Sequence, residues 1–182
     1  MSKTYRLVLC AVFAALIAIG AFIKIPVPLI PFTLQVMFTT MAGILLGAEL
    51  GSLSVIVYIV LGLVGLPVFT GGGGPSYVLQ PSFGYLLGFI LGTFVTGKIA
   101  SPGKKTPSMK RYLLASFAGL ICIYLIGVPY CGLINSLYLK TPVAIGTLVL
   151  HGFVMCLPGD IIKCFLSAFL GKRLVPVLRK KN

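Results

Sequence analysis

The stretch Leu157-Pro158-Gly159-Asp160-Ile161-Ile162-Lys163 lies inside an apolar segment, from about Thr141 to Gly171, that otherwise has the composition of a membrane helix. A carboxylate and an ammonium at such depth are costly in lipid and point to function by default. Three residues apart, Asp160 and Lys163 fall on one face of a helix about one turn from each other. Pro158-Gly159 just before them is a natural break that loosens the backbone. The expectation is a membrane container built around this pair.

Composition sets the class. Of 182 residues, 58% are hydrophobic and only 9% charged, which lies far outside the soluble globular range and describes an integral membrane protein. The length suits one domain over residues 1–182, with no interruption large enough to fold as a second. The formal net charge of +13 is read as topological, because Lys and Arg collect in loops that stay in the cytoplasm. Nucleic-acid binding is set aside on that ground. Glu49 and Asp160 are the two acidic residues, too few for a carboxylate-rich metal site or an acid–base pair of carboxylates. The cysteines, Cys10, Cys122, Cys131, Cys156 and Cys164, contain no CxxC pair and mostly lie in apolar runs. They suggest neither a disulfide framework nor a metal centre.

Six spans are expected along the chain. Leu7 to Ile23 is uncharged and about long enough for a ~30 Å bilayer core, and is read as a first membrane helix rather than a signal peptide. Within it Ala11/Ala15 and Ala14/Ala18 form overlapping small-xxx-small strips, suited either to internal packing or to a docking helix. Lys24 to Phe32 carries Pro26, Pro28 and Pro31 and is expected to be an ordered apolar loop, a lid over a pocket or a wedge against headgroups. Thr33 to Leu46 follows, with Thr33 as N-cap and Gln35 either interfacial or in a pocket. A tight turn from Gly47 to Gly51 leads to the third span, Leu53 to Leu66. The loop from Pro67 to Ser82 contains Gly71 to Gly74, which is no phosphate loop because no Gly-Lys-Ser/Thr follows. The fourth span, Phe83 to Gly97, presents Gly84, Gly88 and Gly92 as a close-packing face. A basic linker from Lys98 to Arg111, a fifth span from Tyr112 to Gly127, an irregular stretch from Val128 to Lys140 and a sixth helix from Pro142 to Lys172-Arg173 complete the chain.

Charge sets the orientation. With six alternating spans, Lys3, Arg6, Lys98, Lys104, Lys105, Lys110, Arg111, Lys172, Arg173, Arg179, Lys180 and Lys181 share one side, and only Lys24 and Lys140 the other. Both termini are therefore expected in the cytoplasm, with the three irregular loops outside. Asp160, twelve residues or roughly 18 Å of helix before Lys172, falls in the outward half of the membrane beneath them.

Two readings of the pair use the same atoms. Asp160 caps a half-helix and neutralises Lys163, or the two receive a ligand with an N–H donor and an anionic group. A buried ion pair rarely beats apolar residues for stability, which favours function. Catalysis is harder to support, since His151 is the one histidine and no Ser or Cys stands in a recognisable nucleophile setting with it.

Pro26 to Gln35 (PVPLIPFTLQ), Gly62 to Phe69 (GLVGLPVF), Gly71 to Gly74, Gln80 to Gly88 (QPSFGYLLG) and Leu157 to Lys163 (LPGDIIK) together resemble the BioY family, biotin-specific substrate-binding (S) components of energy-coupling factor (ECF) transporters. The resemblance covers nearly the whole chain in matching order. It implies an all-α fold of six transmembrane helices in the cell membrane, no enzymatic activity, no cofactor, and biotin as transported ligand. It also implies partners, a membrane coupling protein and two ATPase subunits, with Ala11 and Ala15 as the docking strip. On this resemblance Asp160 meets the ureido N–H groups of biotin and Lys163 its polar end, the carboxylate; Gln80, Tyr85, Tyr77 and Gln35 are further pocket residues and Gly71 to Gly74 offer backbone contacts. The alternatives are an S component for another carboxylate-bearing vitamin, a stand-alone transporter in which Asp160 carries a proton, or a membrane enzyme.

Overall fold

The computed structural model describes residues 3–26, 30–100 and 107–180, with side chains to 177. Pro28 of the proline loop, Lys104 and Lys105 of the basic linker, and Lys181 lie outside the described residues.

The chain forms helices α1 (Lys3–Phe22), α2 (Gln35–Leu46), α3 (Ala48–Leu63), α4 (Phe83–Ala100), α5 (Met109–Leu133), α6 (Ile145–Val149) and α7 (Leu157–Lys180). One short antiparallel ribbon pairs β1 (Lys24–Ile25) with β2 (Phe32–Thr33), placing Lys24 opposite Thr33. Two π-helical turns, Ile134–Tyr138 and Leu150–Val154, prolong α5 and α6. Counting α6, its π-turn and α7 as one interrupted run, the described residues form six α-helical runs, with a 3-10 turn at Pro75–Leu79 between the third and fourth. Among the described residues four are long and apolar enough to cross a membrane: Lys3–Phe22, Phe83–Ala100, Met109–Tyr138 and Ile145–Val177. Helices α2 and α3, of 12 and 16 residues, are shorter than a full ~30 Å core requires at 1.5 Å per residue.

Several expected boundaries move. Gly47 alone separates α2 from α3, since its φ of 84° reverses the chain in one residue and α3 resumes at Ala48. The stretch from Val128 to Lys140 is mostly helical rather than irregular. Helix α5 runs straight through Pro129 and on into its π-turn, as membrane helices can when local π adjustment and neighbouring groups satisfy the backbone. The break before Asp160 falls at Met155-Cys156, and Pro158 sits in the first turn of α7, where a missing N–H costs nothing. That helix passes Lys172-Arg173 and ends at Lys180. Thr33 belongs to β2 and Leu34 is the N-cap of α2, although the Thr33 hydroxyl does accept the Gln35 N–H at 3.3 Å.

The bundle has a mainly apolar core threaded with buried hydroxyls, and its outer surface is apolar as well. Thr39, Thr93, Thr96, Ser116 and Ser167 are buried, whereas Leu114, Leu125 and Ile162 are more than 60% exposed. The buried hydroxyls bond to main-chain carbonyls, several of them across helices: Thr93 to Thr39 at 3.2 Å, Thr96 to Ala115 at 3.1 Å, Ser167 to Met37 at 3.3 Å. Gly88 and Gly92 on α4 bring α5 close. A Cβ at either position would stand 2.7 Å from a main-chain oxygen, that of Ile123 or Gly119. The alanine strips of α1 divide: Ala14 is buried and Ala18 half-buried, while Ala11 and Ala15 are exposed.

Candidate functional site: a buried ion pair under an aromatic cavity

The first two turns of α7 place Asp160 and Lys163 on the inward face, 3% and 5% exposed, with Nζ 2.5 Å from Oδ1. The other carboxylate oxygen, Oδ2, accepts the Tyr124 hydroxyl of α5 at 2.5 Å. The ammonium also donates to the Thr33 carbonyl at 2.6 Å and lies 3.6 Å from the centre of the Phe32 ring. The ammonium thus faces a carboxylate, a carbonyl and a π face. The glycine of Pro158-Gly159-Asp160 has a steric reason. The Phe32 ring lies directly on Gly159, so that any Cβ there would enter it.

Above the pair is a narrow cavity of about 50 Å³, open at one end. Its walls come from β2 and the start of α2 (Phe32, Thr33, Gln35, Val36), α3 (Tyr58), the loop before α4 (Thr70, Tyr77, Ser82), α4 (Tyr85, Leu86, Phe89), α5 (Ile123, Tyr124) and the turn leading into α7 (Cys156). Aromatic contacts brace them. Phe69 packs edge-on to Tyr58 at 5.4 Å and against Tyr77 at 4.4 Å, and Tyr124 packs edge-on to Phe153 at 4.7 Å.

The polar groups on the walls are held in pairs. Gln35 donates to the Tyr58 hydroxyl at 2.8 Å, which donates on to the Val68 carbonyl at 3.2 Å. Tyr77 and Thr70 share a hydroxyl bond at 2.9 Å. Tyr85 donates to the Gly152 carbonyl of the second π-turn at 2.8 Å. The site therefore offers a fixed anionic acceptor at its floor, aromatic and aliphatic walls, and a few oriented hydroxyl and amide groups.

Of the residues expected from sequence, Asp160, Lys163, Gln35, Tyr77 and Tyr85 are brought together here. Gln80 is exposed and is not among the lining residues. The four glycines from Gly71 to Gly74 do not line the cavity either. They serve the loop's own path: Gly72 pairs with Phe69, the Gly74 N–H bonds to the Gly62 carbonyl at 2.7 Å, and Gly73 abuts Leu66. Ala11 and Ala15 lie apart on α1. Sequence reasoning missed Tyr124, Tyr58, Thr33 and Phe32. For Tyr124 a signal existed, since a tyrosine deep in an apolar span needs a partner for its hydroxyl. Among the described residues no three His, Cys, Asp or Glu groups gather as metal ligands. His151 stands outside the cavity lining.

The BioY family profile matches residues 1–180. The chain is 48% identical over 177 residues to a probable biotin transporter BioY of Lysinibacillus sphaericus, covering 97% of this chain and 90% of that one. It is 39% identical over 170 residues to the biotin transporter BioY of Thermotoga maritima, covering 93% and 95%. The crystal structure of an S-component for biotin from an ECF-type ABC transporter superposes with a TM-score of 0.69 at 31% identity, over 96% of this chain and 94% of that one. A multi-pass membrane fold with a buried Asp–Lys pair, matched along nearly its whole length, is thus placed: the chain belongs to the BioY family.

Proposed function

We propose that this chain is the biotin-capturing S component of an ECF-type transporter of the cell membrane, a single membrane domain over residues 1–182. The observation that carries the reading is the Asp160 carboxylate, held by Lys163 and Tyr124 at the floor of an aromatic cavity in a chain whose relatives are biotin transporters. The chemistry agrees. The ureido ring of biotin carries two N–H donors, a carboxylate accepts both, and the sulfur-containing ring and aliphatic chain suit aromatic and aliphatic walls. Lys163 and Tyr124 orient the Asp160 carboxyl group, so the floor reads N–H donors. Gln35, Tyr77 and Tyr85 line the path above it, and Gln80, exposed here, belongs to the outer approach.

The mouth faces the outside and both termini the cytoplasm, in keeping with the segregation of Arg6, Lys98, Lys110, Arg111, Lys172 and Arg173 from Lys24 and Lys140. A membrane coupling protein and two ATPase subunits supply the energy, and the exposed Ala11/Ala15 strip of α1 is where the coupling protein docks, since small residues let helices approach closely. The chain carries no chemistry of its own and needs no cofactor.

Two measurements test this. In competition binding to the purified protein, unlabelled biotin should displace labelled biotin at equimolar levels, while other carboxylate-bearing vitamins should not at hundredfold excess. Uptake by cells should cease on ATP depletion and survive collapse of the proton gradient. Displacement by a different vitamin, or uptake that follows the proton gradient, would overturn the assignment.

A further inference from the structure

Lys163 faces the carboxylate of Asp160, the carbonyl of Thr33 and the ring of Phe32, so its N–H groups are engaged within the chain. A ligand bearing a carboxylate needs another cation. At the loop end of the bundle the other described basic residues are Lys24 and Lys140. Lys140 is exposed, and its segment contributes no cavity wall.

Lys24 is placed differently. It stands directly opposite Thr33 in the β1–β2 ribbon, and opposed residues of an antiparallel pair project from the same face. Thr33 lines the cavity, so the Lys24 stem leaves the ribbon on the cavity side. Its ammonium donates to the Thr70 carbonyl at 2.5 Å. Thr70 is itself a wall residue whose hydroxyl bonds that of Tyr77 at 2.9 Å. The charge therefore sits against the cavity wall at Thr70, where the β1–β2 ribbon meets the glycine-rich loop, and Lys24 is not itself a lining residue. Unlike Lys163, it is solvent-exposed, so its single carbonyl contact leaves N–H groups for an incoming anion.

We infer that Lys24 is the specificity residue for the ligand's carboxylate: Asp160 reads the N–H end at the floor, and Lys24 receives the carboxylate beside Thr70. This rests on the biotin reading given above. It divides the roles of the two lysines, one fixing the acceptor and the other reading the anion.

The test is calorimetric binding of biotin and of biotin methyl ester to wild type, Lys24→Gln and Lys24→Arg. Gln keeps an N–H donor for the Thr70 carbonyl and removes the charge. Wild type should prefer biotin over the ester by about five- to tenfold, as expected for a hydrogen-bonded charge at a partly solvated position. Lys24→Gln should lose that preference by weakening biotin alone, and Lys24→Arg should keep it. Added salt should narrow the gap in wild type. Equal loss of both ligands in Lys24→Gln, or no loss of either, would overturn the assignment and leave Lys24 a loop clasp or a bystander. So would a wild type that binds both ligands equally. A wild type that binds neither would overturn the biotin reading itself, which is a separate and distinguishable failure.

Discussion

The ammonium of Lys163 donates to the carbonyl of Thr33, 130 residues earlier in the chain, at 2.6 Å. The bond joins α7 to the ribbon that follows α1, and the same ammonium neutralises Asp160. The floor of the cavity is therefore also a clamp between the two ends of the fold.

Breaking that clamp from one side should be costly. Lys163→Met leaves an unpaired carboxylate in a buried place, and losses of about 3–5 kcal/mol accompany such changes. The thermal midpoint followed by circular dichroism should fall sharply. The double variant Asp160→Asn/Lys163→Met should recover most of the stability and none of the ligand binding, which separates the structural from the functional role.

Tyr124→Phe removes only the hydroxyl that donates to Asp160 Oδ2. A hydrogen bond to a charged group contributes about 1.5–3 kcal/mol, so biotin affinity should fall roughly tenfold or more while the helical signal stays unchanged. Affinity equal to wild type would show that Lys163 alone orients the carboxylate.

How much of this was readable beforehand follows from where the physics was local. Asp160 and Lys163 announced themselves because charge in an apolar span is rare and the i, i+3 spacing fixes their relation. The Gly84, Gly88 and Gly92 face was legible from spacing alone, and its partner became visible only in three dimensions: Ile123, Gly119 and Tyr130 of α5. The stretch from Val128 to Lys140, expected to be irregular, is mostly helical, since α5 continues through Pro129 where the surrounding protein can satisfy the backbone. Thr33 and Phe32 were hidden because what matters is a carbonyl and a ring face brought against Lys163 by tertiary packing. Gly159 looked like a flexible break and is instead the seat of the Phe32 ring.

The α4–α5 seam gives a stability prediction. Gly92→Val should destabilise by about 3 kcal/mol through overpacking, because the new Cβ would lie 2.7 Å from the Gly119 oxygen and 2.8 Å from Ile123 Cγ1. Gly146→Ala, where nothing lies within 4 Å, should be neutral or slightly stabilising. Thermal unfolding of the two variants side by side checks the contrast.

The outward alanines of α1 give a prediction about assembly. Ala11→Leu and Ala15→Leu should leave biotin binding unchanged, since both residues are exposed and apart from the cavity. Co-purification with the coupling protein and ATP-dependent uptake should both be lost. Ala14→Leu should instead destabilise the fold, because Ala14 is buried at 4% exposure.

The most direct measurement is calorimetric titration of biotin into the purified, folded protein, repeated with Asp160→Asn, which keeps the size of the side chain and removes the charged acceptor. The account predicts saturable one-to-one binding by the wild type and loss of at least a hundredfold in affinity in a variant that remains folded by circular dichroism. Wild-type protein that is folded and takes up no biotin, or Asp160→Asn that binds it as tightly as wild type, would contradict the account.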